Sequence, residues 1–193
     1  SVKSLDMTRQ PNTCHITLWA KCLATRITLL CALCLAVCHA VPALAATSDK
    51  ARQLVRQAAN AAVHKDYRQS SALLFKARSE AEAAADYDQL FWVYTNLGIN
   101  QAELLNYADA LQHFTKAYQI ATEHLDERRV LSIRNNIAGL YMMNHEQNKA
   151  LAEYIKIYAD IKGGTDSVFT GGCALNIATL LTDKHQYAQA RPY

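Results

Sequence analysis

Slid against itself, the sequence matches best at a shift of 40 residues. Asp86, Asp126 and Asp166 fall in register, as do Asn96, Asn136 and Asn176, then Gly98, Ala138 and Ala178, then Ala110, Ala150 and Ala190. An earlier, more divergent copy puts Tyr67 under Tyr107 and Tyr187, Leu74 under Phe114 and Tyr154, and Ala77 under Ala117. Self-similarity at such a period marks a solenoid: each unit is one small supersecondary element that can bury its apolar face only against its neighbours. The chain is therefore expected to fold as a stack of like units.

Each unit reads as two amphipathic helices. From Asp88 to Glu103 the apolar and small positions Phe91, Tyr94, Leu97, Gly98 and Ala102 recur at three- and four-residue spacing. From Ala108 to Glu123 the positions Leu111, Phe114, Ala117, Tyr118 and Ala121 do the same. The short polar segments His64-Lys65-Asp66, Asn106, Asn144-His145-Glu146 and Lys184-His185-Gln186 separate the helices within a hairpin. The recurring aspartates sit where each front helix begins. There a carboxylate accepts an unpaired backbone N–H and complements the helix dipole, so capping is their expected role. Small residues at Gly98 and Ala110 let two backbones approach, and Tyr94, Phe114 and Tyr118 are expected to fill the space around that contact.

Tyr94, Leu97 and Gly98 on one helix, followed by Tyr107, Ala110, Phe114 and Ala117 on the next, resemble the tetratricopeptide repeat. Ile137, Ala138, Tyr141, Ala150 and Tyr154 repeat the resemblance, which runs from Asp49 to the end of the sequence. The period differs from the family's roughly 34 residues, and the proline that commonly ends a unit is absent. The added length is expected between hairpins, around Glu123–Glu127 and Lys162–Asp166, where it lengthens helices or connectors. The implied fold is an all-α superhelical solenoid of antiparallel hairpins, with about three and a half repeats in residues 46–193. Because Tyr187, Ala188 and Ala190 open another back helix just before Tyr193, the sequence is expected to be a fragment truncated at its C-terminal end.

Residues 1–45 differ in kind. The apolar run Ile27–Val37 follows Lys21 and Arg26 and precedes Ala43-Leu44-Ala45, the three-part arrangement of a secretory signal cleaved after Ala45. An uncleaved N-terminal anchor is the competing reading; on either, the rest of the chain is exported, and a periplasmic location is expected. Five of the six cysteines lie in this leader, leaving Cys173 alone, so no intrachain disulfide framework is expected in the folded part. The formal charge of +3 also belongs to the leader, since from Ala46 onward 16 basic residues face 16 acidic ones. A neutral domain without a nucleic-acid motif argues against DNA or RNA as a partner. At 51% hydrophobic and 19% charged, the chain is neither a disordered tail nor a multi-span membrane protein. Membrane contact is expected only if the leader stays attached or a span follows the sequence.

The scan for chemistry finds no nucleophile–base pair, paired acid or metal set, so neither an enzyme nor a cofactor is expected. The seven histidines lack productive spacing with other ligands. Cys173 is expected to be a buried small hydrophobe. The stretch Gly163–Gly172 lacks the Gly-Lys-Ser/Thr of a phosphate loop and reads as a flexible connector between hairpins.

The resemblance implies that front helices line a groove that holds other polypeptides, and it places Trp92, Thr95, Asn96, Ile99, Asn135, Asn136, Met142, Met143, Asn176, Thr179 and Asp183 on or near that groove. The carboxamides of the three aligned asparagines could pair with an extended peptide, or equally bond to neighbouring helices and stiffen the stack. Arg52 and Arg56 on the first front helix could offer positive charge at one end of the groove, although a solvated face explains them as well. Some family members grip a terminal carboxylate with a Lys/Arg clamp; the matching positions here hold Ser132 and Asn136. The expected function is a non-catalytic scaffold for a protein or peptide, acting outside the cytoplasm. The alternative is the extracytoplasmic sensor region of a longer membrane signalling protein, since the array also resembles the input regions of some histidine kinases and diguanylate cyclases.

Overall fold

A computed structural model describes residues 45–164 and 166–193. The leader lies outside them. Among the described residues there are helices and turns and no strand: α1 (residues 45–63), α2 (Tyr67–Ala83), α3 (Tyr87–Glu103), α4 (Tyr107–His124), α5 (Glu127–Met143), α6 (Gln147–Ile161), α7 (Ser167–Asp183) and the single turn α8 (Tyr187–Ala190). Helices adjacent in sequence pack on one another, giving three hairpins (α1/α2, α3/α4, α5/α6) and a final half-unit. This is the all-α solenoid of three and a half repeats that the self-similarity implies.

The period has an inner structure. From α2 onward, helices begin at Tyr67, Tyr87, Tyr107, Glu127, Gln147, Ser167 and Tyr187, 20 residues apart each time. Of the two places expected for the added length, helices or connectors, it lies in the helices, spread along the stack and not gathered between hairpins: α2, α3, α5 and α7 each run 17 residues. The connector reading of Gly163–Gly172 is corrected, because α7 already begins at Ser167 and takes in Gly171 and Gly172. Asp166 starts it early by capping.

The turns explain how three residues suffice. Lys65, Ala85, Leu105, His145 and His185 adopt left-handed backbone, with φ between 50° and 62°. At one of these turns the Leu105 N–H donates to the Ala102 carbonyl (2.9 Å) and the Asn106 N–H to that of Gln101 (2.8 Å). These bonds close the C-terminus of α3, and Asn106 already stands at the N-cap position of α4, without a side-chain cap bond. In two of these turns, and in the links to α5 and α7, an aspartate side chain caps the following helix. The Asp66, Asp86, Asp126 and Asp166 carboxylates accept from the backbone N–H of Gln69, Gln89, Arg129 and Phe169 at 2.9–3.0 Å, which confirms capping at the three aligned aspartates and adds Asp66. The link from α4 to α5 differs: Leu125 is extended, with φ −121°.

The core is a chain of small clusters, as expected when each unit meets only its neighbours. Phe91, Ala110, Phe114, Ala117 and Ile133 join α3, α4 and α5. Ala138, Tyr154, Ile157, Cys173 and Ile177 join α5, α6 and α7. The tightest approach is at Gly98, where an added Cβ would lie 2.4 Å from Phe114 Cε1. Phe114 fills that contact and Tyr94 packs beside it half-buried, whereas Tyr118, expected to do the same, is exposed on the outer face of α4.

Candidate functional site

Side chains three and four apart on one helix share a face, so rows of equivalent residues on α3 and α5 run side by side along the front of the stack. Toward the C-terminal ends of these two helices the rows part, leaving a hollow of about 380 Å³. Ile99, Ala102 and Glu103 of α3 form one wall; Asn135, Asn136, Gly139, Leu140, Met142 and Met143 of α5 form the other. Phe114 of α4 and Tyr154 of α6 close the floor. The cleft exists because Gly139 has no side chain: a Cβ there would meet only Tyr154 Oη, at 3.8 Å.

At the other end of the same two helices the gap is bridged. Arg129 of α5 pairs with Asp88 of α3 (2.8 Å), and its guanidinium lies 5.4 Å from the Trp92 ring and 5.8 Å from the Phe91 ring. The cleft is thus a wedge, latched at the helix N-termini and open at the C-termini.

Five of the residues named from the sequence come together here: Ile99, Asn135, Asn136, Met142 and Met143. The other six do not line the cleft. Trp92 stands at the latched end, partly exposed and edge-on to Phe91 at 5.2 Å. Thr95 is only 4% exposed, so it cannot touch a ligand. The Asn96 carboxamide donates to the Trp92 carbonyl of its own helix (2.7 Å), a bond that reaches neither the cleft nor a neighbouring helix. Asn176, Thr179 and Asp183 lie on α7, where the Thr179 hydroxyl donates to the Leu175 carbonyl (2.9 Å). Arg52 and Arg56 are exposed on α1; Arg52 pairs with Asp49 (3.1 Å).

Glu103 and Gly139 were passed over in the sequence. Both were legible in the 40-residue register, since Glu103 aligns with Met143 and Asp183, and Gly139 with Ile99 and Thr179. Phe114 and Tyr154 had been assigned to the core alone.

The groups around the cleft are suited to binding. Glu103 is exposed, and its Oε2 accepts the Tyr67 hydroxyl at 3.3 Å. Desolvation and the Glu103 charge push the Tyr67 phenol above its ordinary value. Burial raises the Tyr154 phenol, and it also raises the Cys173 thiol, which is 1% exposed and held as the unreactive thiol. Among the described residues no three His, Cys, Asp or Glu side chains gather as a metal site.

No family model matches the sequence, and no curated protein matches it. Solved structures do. The crystal structure of BtubC (BKLC) from P. vanneervenii superposes with a TM-score of 0.65 over 74% of this chain, at 14% identity, and the matched part is 59% of that protein. Two structures from Podosopora anserina, assigned as a kinesin light chain with nearly identical TPR-like repeats, give TM-scores of 0.60 and 0.59 over 74% of this chain and 70% of theirs, at 13% and 12% identity. At such identities the likeness is one of fold: the chain has the architecture of TPR-like repeats.

Proposed function

We propose that this chain is a non-catalytic scaffold that holds a segment of another protein in the wedge between α3 and α5, and that it does so outside the cytoplasm. The observation that carries the reading is the cleft itself. Two parallel front helices, closed at one end by Arg129, leave an apolar hollow floored by Phe114 and Tyr154 and flanked by Gly139 and the Asn135 and Asn136 carboxamides. A hollow of that chemistry accepts one apolar side chain, while carboxamides pair with the backbone beside it. Export is inferred from the leader sequence and rests on it alone.

The test is selection of peptides from a displayed library on the whole chain, repeated on Gly139→Leu. The added side chain projects into the hollow and away from packed neighbours, so stability should hold while binding is lost. Peptides that bind the variant as well as the parent, or no enrichment on the parent, would refute the assignment.

A further inference from the structure

We infer that the cleft selects a peptide in which an aliphatic residue stands next to a lysine or arginine, the aliphatic side chain entering the hollow and the cation resting against Glu103. This rests on the binding role assigned to the cleft above and adds the chemistry of its ligand.

Among the described residues, Glu103 is the one carboxylate or ammonium group lining the hollow, whose other walls are chiefly aliphatic or thioether. Its Oε2 takes a single hydrogen bond from Tyr67, leaving Oε1 and further lone pairs toward solvent. Glu103 is the last residue of α3 and Met143 the last of α5, while α4 and α6 start at Tyr107 and Gln147 beside them; the paired helix ends offset one another, and the charge at this end of the wedge is that of Glu103.

Among the described residues no positive group lines the hollow: Lys65 and Arg68 flank Tyr67 but are not among its lining residues. Arg134 on α5 turns to Asp160 (2.7 Å) and Glu153 (3.7 Å) on α6. Lys149 is tied to Glu146, and Arg129 to Asp88 at the latched end. Arg52 and Arg56 belong to α1 and do not line the hollow. An acidic peptide would set its carboxylate against Glu103 with no cation among the residues that line the hollow. A basic one meets complementary charge.

The experiment uses the whole chain and three labelled Ser/Gly-rich peptides carrying a central Leu-Lys, Leu-Glu or Ser-Lys pair, followed by fluorescence anisotropy. Leu-Lys should bind about fivefold or more tightly than Leu-Glu, the scale of a partly exposed ion pair, and Ser-Lys should bind weakest. Glu103→Gln, which keeps an acceptor for Tyr67, should erase the margin between the two leucine peptides, whereas Tyr67→Phe should keep it. Equal or tighter binding of Leu-Glu, or a margin that survives Glu103→Gln, overturns the charge preference. If Leu-Glu binds and Gly139→Leu abolishes that binding, the cleft still binds peptides and only the preference is wrong. If none of the three binds, or if Gly139→Leu leaves binding untouched, both the cleft assignment and this preference are overturned.

Discussion

Replacing Gly98 and Gly139 by alanine, one at a time, should move stability in opposite directions although the two substitutions are chemically identical. A new Cβ at Gly98 falls 2.4 Å from Phe114 Cε1 and 2.5 Å from Cδ1, about 1 Å inside ordinary contact, and Phe114 is 2% exposed with Ala110 and Ala117 in the same cluster. Overpacking of this kind costs about 1–3 kcal/mol, and the gain in helix propensity returns only ~1 kcal/mol. Gly98→Ala should therefore lose up to ~2 kcal/mol. At Gly139 the new methyl meets nothing closer than 3.8 Å, so the propensity gain stands alone and the variant should be up to ~1 kcal/mol more stable. For a domain of this size the difference corresponds to a gap of roughly 2–12 °C in Tm. Thermal melts followed by far-ultraviolet circular dichroism would measure it, with Phe114→Leu added to Gly98→Ala as a rescue. A Gly98→Ala melt at or above that of Gly139→Ala would refute the close approach of α3 and α4.

Asn100→Ala should cost about 1–3 kcal/mol, because Ser70 Oγ and Ser71 Oγ lose the carboxamide donor at 2.9 and 3.1 Å in a buried site; adding Ser70→Ala should recover part of the loss in urea titrations. Leu105→Gly should stabilise the chain by ~1 kcal/mol by relieving a left-handed backbone, since Leu105 is 67% exposed and little packing is forfeited; an unchanged or lower urea midpoint would count against it. Burial lowers the His113 pKa below its ordinary 6.5, with Arg78 adding to the shift and Asp109 opposing it. The unfolded chain then takes up the proton first, so this contribution is complete above pH 6.5 and is lost as pH falls through the folded-state value. His113→Gln should flatten that limb of the stability profile, and an unaltered acid limb would contradict the assignment.

How much of this was legible in the residues differs by level. Register at 40 residues specified helices, their pairing and their caps, because Asp86, Asp126 and Asp166 can all be aligned by eye. The 20-residue half-period was present as well, in Tyr67, Tyr87, Tyr107 and Tyr187, yet Glu127, Gln147 and Ser167 interrupt it. Glycine misled at Gly171 and Gly172, which read as connector because glycine is a poor helix former; a capping aspartate and free space around both positions allow the helix regardless. Thr95 was misplaced for a different reason. Front-helix membership was right, but burial is set by the neighbouring helix, and the equivalent row position in the last unit, Leu175, is 67% exposed. The site residues the sequence omitted were those whose role depends on a neighbour's absence of side chain.

Gly139 shows how that comes about. In the α3/α4 hairpin the glycine stands at position 98, under Phe114, and serves the close approach of two helices. One period later the equivalent position is Ala138, buried, and the glycine has moved one residue along, to 139. A step of one residue turns the side chain by about 100° around a helix of 3.6 residues per turn. That rotation relieves the contact with the back helix: a Cβ at 98 would strike Phe114 of α4 at 2.4 Å, whereas one at 139 would meet only Tyr154 Oη of α6, at 3.8 Å. The same residue type therefore makes a tight hairpin in one unit and an open cleft in the next, with Ile99 on the row directly opposite the gap. The cleft is a product of register between two units, which is why it arises at this junction. Exchanging Ala138 and Gly139 should carry glycine back to the hairpin face, put a methyl group on the wall of the hollow and weaken peptide binding while the helices stay in place.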